Sequence, residues 1–101
     1  MLFRSFSELV AWRDTQAESM SLSYWRTTTG REVDFVIESA GRLLSVEVKA
    51  TAKPSPRDAE GLRAFIDEYG IAAVGGLVLH TGDEVFWIRR GILAAPWWLV
   101  V

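Results

Sequence analysis

EVDFVIESAGRLLSVEVK, residues 32–49, is the stretch on which the fold turns. In its first half Val33, Phe35 and Ile37 alternate with Glu32, Asp34 and Glu38. In its second half Leu44, Val46 and Val48 alternate with Ser45, Glu47 and Lys49. Successive side chains of a strand point to opposite faces, so an apolar period of two predicts two strands, each with one face toward a core. Only Val36 interrupts the alternation. Between the halves, Ser39-Ala40-Gly41 is short and contains glycine, which predicts a hairpin. The same geometry gathers the polar residues. If the strands pair, Asp34 on the first converges with Glu47 and Lys49 on the second. Two carboxylates are hard oxygen ligands suited to magnesium or manganese, and an ammonium can orient a water or stabilise charge on phosphate. The matching substrate is a phosphodiester. The competing explanation is a solvated sheet face with ordinary ion pairs, and Glu32 and Glu38 favour that description.

Downstream, residues 51–70 (TAKPSPRDAEGLRAFIDEYG) predict a helix. Ser55 is placed to cap it, Pro56 suits the first helical position, and Asp58 occupies the capping-box acid position with a shorter reach than glutamate. Leu62, Phe65, Ile66 and Tyr69 form its apolar stripe and Gly70 its stop. Gly61 costs roughly 0.5–1 kcal/mol relative to alanine, so packing against a sheet must supply the stability. The small and branched run from Ala72 to Leu79 predicts an interior strand, and Thr81-Gly82-Asp83 turns the chain into a further strand at Val85–Ile88. Upstream, Leu22–Thr28 reads as extended and Phe3–Trp12 as a short helix. The order is helix, three strands, helix, two strands and a tail that periodicity does not resolve. This is an α/β chain with a central sheet flanked by helices.

With 101 residues, half of them hydrophobic, the chain is sized for one domain. Eleven Lys plus Arg against thirteen Asp plus Glu leave a net charge of −2, so no bulk cationic field is present and any phosphate-binding surface must be local. The absence of cysteine excludes disulfides, thiolate nucleophiles, iron–sulfur clusters and cysteine-based zinc sites. Neither a signal peptide nor an apolar run of about 18 residues is visible, and a cytoplasmic protein without a membrane partner is the expectation. No GxxxxGK[ST] loop occurs, so the chain has no ATP site of that kind.

Asp34, followed after twelve residues by Glu47-Val48-Lys49, resembles the Asp…Glu-x-Lys core of the PD-(D/E)xK, restriction-endonuclease-like superfamily. The longer string YWRTTTGREVDFVIESAGRLLSVEVKATAKP, residues 24–54, resembles the DUF4143 domain, which is usually carboxyl-terminal to a P-loop module in AAA-type ATPases. The likeness extends from about Leu2 to Leu99. It implies a mixed central β-sheet with flanking helices, one domain over residues 1–101, and a chain that is a fragment or stand-alone remnant of a longer ATPase. It also implies a metal-dependent nuclease acting on DNA, with Asp34 and Glu47 as metal ligands and Lys49 in the active site. Glu8 is the candidate for the further acid such folds take from their first helix. The chain departs from its relatives at Arg4, where they usually carry an acid, and has Val33 where the superfamily motif is named for proline. The alternative is a non-catalytic DNA-binding, protein-interaction or regulatory domain of an AAA-type ATPase.

Arg26 and Arg31 flank the threonine-rich turn, and Lys53 and Arg57 lie near the next helix start, which makes these four the candidate phosphate-backbone contacts. A solubilising surface explains them nearly as well. His80, the sole histidine, is assigned a turn or surface role, since no second histidine exists for acid–base or zinc chemistry. Tyr24, Trp25 and Trp87 are read as core. Trp97 and Trp98, taken as an extended tail, point in opposite directions, so one of them is expected to meet a second copy of the chain or an ATPase module.

Overall fold

A computed structural model describes Ser5, Ser7, Glu8, Ala11, residues 21–26 as backbone, and residues 32–100 with Glu32 and Val100 as backbone alone. Ser7, Glu8 and Ala11 are helical, and the rest of the first-helix reading lies outside the described residues. The hairpin forms where it was expected. Ala40 and Gly41 both take positive φ, 53° and 78°, the pair of left-handed residues that a tight two-residue turn needs to match strand twist. They join β2 (Glu32–Ser39) to β3 (Arg42–Val48), which pair antiparallel from Phe35 opposite Val46 to Ser39 opposite Arg42.

β1 (Ser21–Arg26) adds to the outer side of β2, and the expected alternation fails in this pairing. Ser23 lies opposite Val36 but Trp25 lies opposite Val33, so three steps along β2 face two along β1. The extra residue is a β-bulge. It turns Val33 to the same side as Val36, and both are buried in one core cluster while Phe35 is left 39% exposed. The single apolar face read from residues 32–38 is therefore corrected. Val36, the apparent interruption, is a core residue, and Ile37 packs against a second cluster on the other face.

After β3 the chain crosses over through a 3-10 turn (Pro56–Ala59) and α1 (Glu60–Tyr69) to β4 (Ala73–His80), which lies parallel to β3. The helix start uses the expected residues: the Ser55 N–H donates to Asp58 Oδ2 at 2.9 Å, and the Asp58 N–H donates to the Ser55 carbonyl at 2.9 Å. Aspartate reaches despite its length because the first turn is 3-10, tighter than an α-turn. Leu62 and Phe65 are buried with Val33, Val36, Ala59 and Val78, and Gly70 with φ 54° ends the helix. Tyr69, expected in the stripe, is 41% exposed with its ring against Phe65.

All eight residues of β4 are buried, as expected for a strand covered on both faces. β5 (Phe86–Arg89) matches the last predicted strand. The unresolved tail contains another, β6 (Ile92–Pro96), entirely buried and inserted between β4 and β5. The sheet is mixed and six-stranded, in the order β1-β2-β3-β4-β6-β5. Trp97 and Trp98 are not an extended tail but open a helical turn, α2 (Trp97–Val100), and each is half exposed. Among the described residues no helix is long and apolar enough to cross a membrane.

Candidate site at the carboxyl ends of the parallel strands

β3, β4 and β6 are mutually parallel, and their carboxyl ends lie level: Val48 is opposite Leu79, Leu79 opposite Ala95 and His80 opposite Pro96. β2 runs against β3, which brings the amino-terminal half of β2, with Asp34, to this same end. In open α/β sheets this end is where ligands bind, because successive strands deliver loops and side chains there.

Asp34 is held by a backbone contact. The Lys49 N–H donates to the Leu79 carbonyl at 2.9 Å, so it faces β4. Alternate N–H groups of a strand face opposite neighbours, and the Val48 N–H therefore faces β2. The ladder to β2 has ended at Phe35–Val46 and the bulge has carried the β2 backbone away. Oδ2 of Asp34 fills the position of a strand carbonyl and accepts the Val48 N–H at 2.8 Å. The carboxylate thus lies against the backbone between Glu47 and Lys49. These two project from one face of β3, the face that carries Ser45 opposite Val36 and on which α1 packs. Asp34, Glu47 and Lys49 are all partly buried, so their charges sit at the margin of the apolar sheet. The backbone thus brings Asp34, Glu47 and Lys49 to the same end of the sheet, with Asp34 bonded to the Val48 N–H.

Glu8, the candidate third acid, is exposed in the first helical segment. Its N–H donates to Ser5 Oγ at 3.2 Å, the geometry of a helix amino-terminal cap. Among the described residues no group of three His, Asp or Glu side chains converges as a metal ligand set. Lys53 and Arg57 are exposed on the segment that leaves Lys49, on the way to α1. The side chain of Arg26 and all of Arg31 lie outside the described residues, as do the side chains of Tyr24 and Trp25. Trp87, read as core, is 42% exposed.

His80 belongs to the turn, as expected, but not to the surface: it is 0% exposed. Its Nδ1 accepts the Gly82 N–H at 3.0 Å and its Nε2 lies 2.9 Å from the Glu84 carbonyl. Gly82 in turn presses on Ala52, where an added Cβ would lie 2.3 Å from the carbonyl oxygen. Spacing in the sequence could not reveal this contact between the loops after β3 and β4; the sole signal was Gly82 within Thr81-Gly82-Asp83, which reads as an ordinary turn.

A family model described as "Domain of unknown function (DUF4143)" matches residues 5–100. No curated protein and no solved structure matches the chain.

Proposed function

The chain belongs to the DUF4143 family, and we propose that within it this domain is a metal-dependent nuclease of PD-(D/E)xK type, with a restriction-endonuclease-like sheet and DNA as substrate. The observation that carries the reading is the Asp34 carboxylate bound at Val48 between Glu47 and Lys49, at the carboxyl end of β3.

The donor set suits magnesium or manganese. Magnesium keeps several waters and is commonly held by one or two carboxylates together with substrate phosphate oxygens, so a third acid is not required. With Oδ2 of Asp34 engaged by Val48, Oδ1 and the Glu47 carboxylate are the groups to hold the ion. When bound, the ion supplies Lewis-acid stabilisation of charge on the phosphoryl oxygens. Lys49 orients the attacking water and offsets negative charge as the phosphorus–oxygen bond breaks. Lys53 and Arg57, with Arg26 and Arg31, contact the phosphate backbone, and their pairing with phosphate makes binding salt-dependent. The domain works in the cytoplasm as the carboxyl-terminal part of an AAA-type ATPase, to which the exposed Trp97 and Trp98 dock.

The experiment is incubation of the purified protein with single- and double-stranded DNA and magnesium or manganese. Cleavage is expected, with a loss of at least about 100-fold in Lys49→Ala, the scale for removing a group that stabilises transition-state charge. Absence of cleavage, or cleavage that survives Lys49→Ala, refutes the catalytic reading. A second reading, a non-catalytic binding or regulatory domain, is favoured by the described residues holding no group of three acids placed as a metal ligand set. Calorimetric titration separates the two: ion binding lost in Asp34→Ala supports catalysis, and no binding supports the second.

A further inference from the structure

We propose that His80 is a positioning residue: by accepting the Gly82 N–H on Nδ1 it holds the loop after β4 against Thr51 and Ala52, and so fixes the segment that leaves Lys49. In a regular parallel ladder the Thr81 N–H, the next donor after Leu79, returns to the carbonyl of Lys49. Here it goes to Thr51 at 3.0 Å, while the Lys49 N–H still donates to Leu79. Two residues therefore bow out of β3 directly after Lys49, and the bow needs something to hold it.

Gly82 provides that hold. The 2.3 Å from its hypothetical Cβ to the Ala52 carbonyl means that only hydrogen fits between the two backbones. Gly82 is itself set by the ring of His80. A carbonyl only accepts, so the Nε2 facing Glu84 carries the proton and Nδ1 is the acceptor that takes the Gly82 N–H. Both ring nitrogens are used, the residue is fully buried, and the Phe86 ring lies 5.8 Å away. A polar ring at the end of an otherwise apolar strand is tolerated because each nitrogen is bonded. The imidazole is thereby committed to loop geometry. What Lys49 does chemically rests on the function proposed above; the fixing of the bow by His80 does not.

Two isosteric replacements separate the two arms of the ring. His80→Asn places a carboxamide oxygen near the position of Nδ1 and keeps an acceptor for Gly82. His80→Gln places an amide nitrogen near Nε2, keeps the donor to Glu84 and loses that acceptor. Native-state amide exchange followed by NMR is read at Thr81, with Val78 as a marker of the sheet. In His80→Gln the Thr81 amide is expected to exchange at least about fivefold faster, the scale of one net hydrogen bond. In His80→Asn it should stay within about twofold of the native protein, with Val78 unchanged in both. A simple core-filling role would move both variants alike, and equal acceleration in the two, or none in either, overturns the proposal. The native protein gives a check that needs no variant: ring nitrogen-15 shifts should place the proton on Nε2, and a proton on Nδ1 refutes the arrangement. Neither readout involves DNA cleavage, so failure of the nuclease reading leaves this test intact.

Discussion

Asp34 is asked to do two things, and replacing it by asparagine and by alanine separates them. Its Oδ2 accepts the Val48 N–H at 2.8 Å. A hydrogen bond to a charged group contributes about 1.5–3 kcal/mol net, and partial exposure places this one at the low end. Asp34→Ala frees the N–H to water, so only the bond is lost and no buried orphan is created: a cost of about 1.5 kcal/mol. For a domain of this size that lowers Tm by about 5–10 °C. Asp34→Asn keeps an oxygen in the same place as a neutral acceptor, and should cost about half as much or less. Ion binding ranks differently. Both substitutions remove the carboxylate charge, so both should abolish manganese binding. Urea unfolding followed by tryptophan fluorescence gives the first ranking, and calorimetric titration of the ion gives the second. If asparagine destabilises as much as alanine, the carboxylate is not standing in for a strand carbonyl. If either variant binds the ion as the native protein does, Asp34 is not a ligand.

Gly82→Ala sets a Cβ 2.3 Å from the Ala52 carbonyl oxygen and 3.1 Å from its carbon, both backbone atoms. A cost of about 2–3 kcal/mol is expected, with changed amide shifts at Thr51–Lys53, and a denaturation midpoint equal to the native one contradicts the close approach. Phe65→Ala empties the largest buried site on α1 and should cost about 3–5 kcal/mol, read as a lower urea midpoint at similar slope. A cost below about 1 kcal/mol would mean that α1 does not carry the core on its face of the sheet.

The hairpin, the crossover helix and the interior strand were all legible because each is encoded locally. Ala40-Gly41 permits the turn, Ser55, Pro56, Asp58 and Gly70 mark the helix, and residues 73–80 are apolar without a break. The same locality exposed Asp34, Glu47 and Lys49, since a two-residue period and one tight turn suffice to bring them to one end of a hairpin. β6 was not legible: Ile92–Pro96 is a short run with Pro96 at its end, and it becomes a strand because β4 and β5 flank it with unpaired backbone groups.

Composition and periodicity were therefore enough for an α/β chain with Asp34, Glu47 and Lys49 on neighbouring strands, because strand alternation and helix caps depend on residues a few positions apart. The rest was settled by contacts between segments distant in the chain. Pairing with β1 bulges β2 and moves Val33 and Val36 to one side, and that divergence frees the Val48 N–H for Asp34. His80 and Gly82 meet the Thr51–Ala52 bow across some thirty residues of sequence. A backbone donor left unpaired at a strand end, or a carbonyl approached within hydrogen distance, has no signature in residue type, since it comes into being only when the strands are side by side.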